Sequence, residues 1–146
     1  MKEIDIPRSS ARQEPEDTAM KFICLICAEQ MMEHLETADA AGHFAEYAAF
    51  TEAIKREGHF VSGNRLTPPD TAKTVRVRDG QAHITDGPFA ETREMLGGYY
   101  LIEAPDMDTA LAIAARIPGA QRGCVEVRPI ADDAPTRALR LGDRAP

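Results

Sequence analysis

Apolar positions along the chain change character at a few sharp boundaries. Residues 1–19, MKEIDIPRSSARQEPEDTA, are polar and charged with two prolines. A segment that cannot bury apolar surface does not offset its own ordering entropy, so a disordered tail is expected. Met20, itself a candidate natural start, opens the unbroken run Phe22-Ile23-Cys24-Leu25-Ile26-Cys27. Its length and apolarity predict a buried strand over 20–27. Tyr47, Phe50 and Ile54, with Ala53 beside them, recur at helical spacing. They predict a helix over 38–57, with Thr37 as N-cap and Gly58 just past the end. A short strand over 59–66 follows.

Residues 73–85 alternate: Val75 and Val77 against Arg76 and Arg78, then Ala82 and Ile84 against His83 and Thr85. With Asp79-Gly80 between the two runs, this is a hairpin pattern. Residues 97–103 form the next strand. Asp106 stands before a second helix whose stripe is Met107, Ala110, Leu111 and Ala114, stopping at Pro118-Gly119. The last strand is expected over 123–130. From Ala131 to Pro146 the chain is polar again and reads as a second tail. The folded unit is therefore expected at 20–130.

The order β-α-β-(ββ)-β-α-β predicts an α+β, ferredoxin-like βαββαβ fold with an extra hairpin. Its antiparallel sheet carries two helices on one face. The other face of such a sheet is polar when it meets water. Here Ile23, Leu25 and Cys27 oppose Phe22, Cys24 and Ile26, and Tyr99 and Leu101 oppose Tyr100 and Ile102. Two strands apolar on both faces need a second cover. A second copy of the chain, giving a homodimer in the manner of dimeric α+β barrels, supplies it most simply.

Composition narrows the function. The chain has 146 residues, 43% of them hydrophobic, which suits one domain with a real core. A formal net charge of −7 without a basic cluster argues against direct nucleic-acid binding. No apolar stretch approaches the ~20 residues of a membrane span, and the N-terminus has no signal-peptide core. Three cysteines at no framework spacing suggest reduced thiols and a cytoplasmic location.

The run Thr74-Val75-Arg76-Val77-Arg78-Asp79-Gly80, then Thr85-Asp86-Gly87-Pro88-Phe89-Ala90-Glu91-Thr92-Arg93-Glu94, then Gly97-Gly98-Tyr99-Tyr100, resembles the DGPF signature of YCII-related proteins. Tyr47-Ala48-Ala49-Phe50 and Val125-Glu126-Val127-Arg128-Pro129 support the likeness. The resemblance covers about 20–130 and implies a dimeric α+β barrel in the bacterial cytoplasm, without implying a reaction. Some members of the family are linked to transcription initiation factors. Relatives outside the DGPF branch carry a His and an Asp on the first helix, proposed as an acid–base pair. Those positions correspond to Tyr47 and Arg56 here, and neither replaces the original group, since a phenol titrates near ~10 and a guanidinium stays protonated.

Chemistry is therefore sought elsewhere. Asp86-Gly87-Pro88-Phe89 reads first as a turn, with Gly87 at positive φ and Phe89 anchoring the loop in the core. Its Asp86 carboxylate would also lie at the rim of the sheet. Glu91 and Glu94 are close enough in sequence to split their pKa values as acid and base, or to form a solvated acidic loop. Tyr47 is either a core phenol or a hydroxyl donor. Glu126 and Arg128 share the strand face opposite Val125 and Val127, as a ligand-binding pair or a structural ion pair. Tyr99 or Tyr100 adds a phenol there. Arg65, Arg76 and Arg78 are candidates for an anion, or simply edge charge. Cys24-x-x-Cys27 lies on a strand, where i and i+3 point apart, so it is no redox or zinc pair. The four histidines show no ligand spacing, and no nucleotide or hydrolase motif is present. The expectation is a small-molecule site in a dimer, possible acid–base chemistry without cofactor or metal, and, as the alternative, a non-catalytic ligand- or protein-binding module in transcription regulation.

Overall fold

The computed structural model describes residues 19–29, 37–132 and 134–139. The residues expected to form the N-terminal tail lie almost wholly outside that range, as does the Thr37 side chain. Strands β1 (Met20–Ala28), β2 (Phe60–Arg65), β5 (Met95–Ala104) and β6 (Cys124–Pro129) make a four-stranded sheet in the order β2-β5-β1-β6. Every neighbouring pair in it is antiparallel. Strands β3 (Lys73–Arg78) and β4 (Gln81–Asp86) form a separate two-stranded hairpin. Helix α1 (Thr37–Arg56) links β1 to β2, and α2 (Met107–Ala114) links β5 to β6. This is the ferredoxin-like α+β arrangement with an added hairpin. A short helix, α3 (Ala134–Ala138), lies within the stretch expected to be a C-terminal tail.

Register explains the two faces. Phe22 pairs with Ile102 and Cys24 with Tyr100, and these four are buried under the helices. Phe50 and Ile54 of α1 and Ala110, Ile113 and Ala114 of α2 close over them, with Ile117 beyond. Val125 and Val127 pack against the same core. On the opposite face Ile23 pairs with Leu101 and Leu25 with Tyr99, and all four remain half-buried. Among the described residues no helix or strand lies over that face.

Local chemistry sets the boundaries. Asp106 is extended, and its carboxylate accepts the Thr109 N–H at 2.8 Å, so it caps α2 as expected. That hydrogen bond holds the Asp106 carboxyl below the usual carboxylate range. A depressed folded-state pKa means the cap's contribution is present above the unfolded pKa and is lost as pH falls through the folded one. Asp106→Ala is therefore expected to cost about 1 kcal/mol at neutral pH. Thermal melts should show the gap from wild type closing at acid pH. In the hairpin turn Asp79 (φ 52°) and Gly80 (φ 76°) both take positive φ, the type I′ geometry that the Asp-Gly pair predicts.

Two expectations of burial are corrected. Leu111 was placed on the buried stripe of α2 but is 37% exposed. The buried positions Ala110, Ile113, Ala114 and Ile117 fall at i, i+3, i+4 and i+7, a stripe that leaves Leu111 to one side, and the helix itself ends at Ala114. Phe89 does not anchor in the core; it is 82% exposed. Gly87 does take positive φ (92°). The turn is held by its backbone instead: the Gly87 N–H donates to the Ala72 carbonyl at 2.7 Å, and the Thr74 hydroxyl donates to the Gly87 carbonyl at 2.8 Å.

Candidate functional site

The main cavity opens between α1 and the β2–β5 side of the sheet. Its volume is about 260 Å³. His43, Tyr47 and Thr51 stand one turn apart along α1 and all line it. Tyr100 faces them from β5, and Gly63, Gly97 and Gly98 leave the strands bare beside it. A Cβ on Gly63 would fall 2.7 Å from the Tyr100 ring, so glycine there is what lets the ring occupy its place.

The polar groups are held in separate pairs. His43 is buried, its ring edge-on to Tyr47 with centroids 4.9 Å apart, and its Nδ1 lies 3.4 Å from Glu46 Oε1. The Tyr47 hydroxyl accepts the Gly119 N–H at 3.1 Å. The Tyr100 hydroxyl and Thr51 Oγ1 are 2.7 Å apart. The Tyr47 and Tyr100 rings run nearly parallel at 6.5 Å. Burial pushes the Tyr47 phenol up to about 12 and also raises Tyr100. Both phenols therefore stay protonated at neutral pH and serve as neutral hydrogen-bonding groups. Arg65 and Arg122 lie among the lining residues, with the Arg65 guanidinium 5.4 Å above the Phe44 ring. No carboxylate of a described residue lines this cavity.

The residues singled out from the sequence divide among several places. Tyr47, Tyr99 and Arg65 reach the main cavity. Asp86 and Glu91 line a second, open groove with Asp70, Gly87 and Pro88. Asp86 there is paired with Lys73 at 2.5 Å, with its own side chain 84% exposed. Glu94 lies apart from that groove, accepting a hydrogen bond from the Cys124 thiol at 3.4 Å. The two glutamates thus belong to different neighbourhoods. Arg93 between them pairs with Glu29. Glu126 and Arg128 pair with each other on the open face of the sheet, at 3.0 Å from Arg128 Nε. Tyr99, opposite Leu25, is the tyrosine that shares this face. Arg76 and Arg78 sit on the separate hairpin, Arg76 opposite His83, away from Arg65 on β2.

Sequence reasoning missed His43, Thr51 and Arg122. His43 carried no ligand spacing, but it stands four residues before Tyr47, on the same face of α1. That helical interval was the available signal. Thr51 extends it by one more turn. Nothing in the sequence pointed to Arg122, which the turn after Pro118–Gln121 brings to the cavity.

The profile of the YCII-related domain matches residues 20–133. The chain belongs to the YCII-related family. An uncharacterised protein of Rhizobium meliloti (strain 1021) is 45% identical over 69 residues, which is 46% of this chain and 56% of that protein. The matched stretch thus spans little more than half of the relative's length. In this YCII-related chain Tyr47 lines the cavity, and Arg56 is exposed at the end of α1. No helix among the described residues is long and apolar enough to cross a membrane. No cluster of metal-ligating side chains occurs among them.

Proposed function

We propose that the cavity between α1 and the sheet binds a small anionic organic molecule, and that the bound molecule undergoes proton transfer without a cofactor. The observation that carries this is a buried imidazole, His43, set beside two protonated phenols in a cavity that Arg65 and Arg122 also line. Aromatic walls suit a planar apolar body, and Arg65 and Arg122 suit a carboxylate or similar anion. Imidazole is the side chain most often used in general acid–base catalysis. In this reading His43 is the base or acid, and Tyr100 and Thr51 orient the reacting group. The open sheet face, with Ile23, Leu25, Tyr99 and Leu101, is covered by a second copy of the chain in a cytoplasmic homodimer.

A thermal-shift screen against small aromatic and aliphatic carboxylates tests the site. A hit should raise the melting temperature. Arg65→Gln and His43→Gln should each weaken it about tenfold or more, equivalent to roughly 1.4 kcal/mol. Binding that survives both changes would sink the assignment.

One observation favours the alternative, a protein-binding module in transcription regulation. The hairpin leaves Val75, Val77 and Ile84 each at least 60% exposed, and Phe89 stands out beside it. An apolar strip of this kind suits a partner surface. Absence of any metabolite hit, together with a partner protein whose capture is lost in Val75→Ser/Ile84→Ser, would select that reading over the first.

A further inference from the structure

The last pair of the β1–β6 ladder is Cys27 opposite Cys124. Directly opposed residues of an antiparallel pair have Cα atoms about 4.5 or 5.5 Å apart, and their side chains leave the same face. Both spacings fall inside the roughly 4.4–6.8 Å window in which a disulfide closes without moving the backbone. The Cys124 thiol, opposite Cys27, donates to Glu94 Oε1 at 3.4 Å. Cys124 is exposed and Cys27 half-buried, whereas Cys24 is fully buried on the helix side. The Cys24-x-x-Cys27 string in the sequence thus conceals the pair that the fold builds, between Cys27 and a residue 97 positions later.

We propose that Cys27 and Cys124 are a dithiol site that forms a reversible intrachain disulfide by exchange with low-molecular-weight disulfides. The Cys27 thiolate attacks one sulfur of the small disulfide, forms a mixed disulfide and expels one small thiolate. Cys124, whose proton passes to the Glu94 carboxylate or to water, then attacks Cys27 Sγ. The Cys27–Cys124 bond forms and the second small thiolate leaves. Two protein thiols are oxidised, one small disulfide is reduced to two thiols, and the two protons end on those thiols. The bond ties the end of β1 to the start of β6 and removes the thiol proton that Cys124 shares with Glu94. A cytosolic disulfide of this kind is transient by nature, formed and undone with the surrounding thiol pool.

The test uses the full chain in its native state with oxidised glutathione, read by intact mass and peptide mapping. The wild type should lose two hydrogens in mass, carry no lasting glutathione, and yield a Cys27–Cys124 cross-linked peptide that dithiothreitol reverses. Cys124→Ser should instead retain one glutathione on Cys27, and Cys27→Ser should lose the internal bond entirely. Cys24→Ser should behave as wild type. As a probe of proximity, phenylarsine oxide should bind the wild type once and protect it from oxidation. The proposal is overturned by stable glutathione adducts on the wild type, by a bond between chains or one that includes Cys24, or by thiols that react only after denaturation.

Discussion

Gly123→Ala is expected to destabilise the domain by about 3 kcal/mol or more, the upper end of what overpacking costs. A Cβ at this position would overlap the Cys27 carbonyl oxygen and lie 2.8 Å from the Ala28 Cα. Both obstacles belong to the backbone of β1, which is hydrogen-bonded to β5 on one side and β6 on the other. A flexible side chain could swing away; a central strand cannot. The sheet would have to separate at the point where β6 joins it. Gly42→Ala is the matched control. It lies in α1 with nothing within 4 Å of the added carbon. Helix propensity alone then applies, and the substitution should stabilise by roughly 0.5–1 kcal/mol. Urea unfolding of the two variants beside wild type would read out opposite signs from one chemical change. Equal and small effects would show that β6 docks less tightly on β1 than this close approach implies.

The contrast between those glycines also shows where the sequence stops being informative. Both are glycines before or within apolar segments, and only the approach of β1 to the Gly123 loop separates them. The strands themselves were legible because alternation is a local property: Val75, Val77, Ile84 and their basic or polar neighbours fall on opposite faces whatever lies nearby. What covers a face is not local. The alternation that placed the hairpin says nothing of what covers its Val and Ile residues, and they are among the most exposed apolar side chains in the described chain. Phe89 differs from expectation in the same way: the turn reading makes it an anchor, but burial depends on what stands opposite, and it is exposed. The candidate site was legible at Tyr47, on a helix stripe, and at Arg65 and Tyr99, on strands. The cavity exists because Gly119, Gly63 and Gly98 let three segments approach Tyr47, Tyr100 and β2, and those contacts join residues dozens of positions apart. Asp86 and Glu91 were chosen for charge near a turn. The fold gathers them into an acidic groove, separate from the cavity that Arg65 and Arg122 line.

Introducing a charge at Leu25 or Leu101 is expected to convert the proposed homodimer into folded monomers. Leu25 lies opposite Tyr99, and Leu101 opposite Ile23, so these four make a continuous apolar centre on the face that the helices leave open. Glu126 and Arg128 border it, already satisfied by their mutual ion pair. In a two-fold contact each substitution acts twice, once from each copy. Leu25→Glu or Leu101→Lys would then bury two uncompensated charges near the middle of the interface, where truncations and charges weigh most. Dissociation should become easier by about a hundredfold or more, corresponding to roughly 2.8 kcal/mol. Neither side chain contributes to the helix-side core, so far-UV circular dichroism should remain that of the wild type. Light scattering coupled to size exclusion, across a dilution series, measures the shift. A charge-swapped mixture of Leu101→Lys and Leu101→Glu chains should regain the dimer in part if the two Leu101 positions meet across the two-fold axis. A wild type that is monomeric at every concentration, or a Leu25→Glu chain that stays dimeric, would refute sheet-to-sheet pairing and leave the exposed hairpin strip as the surface to examine for a partner.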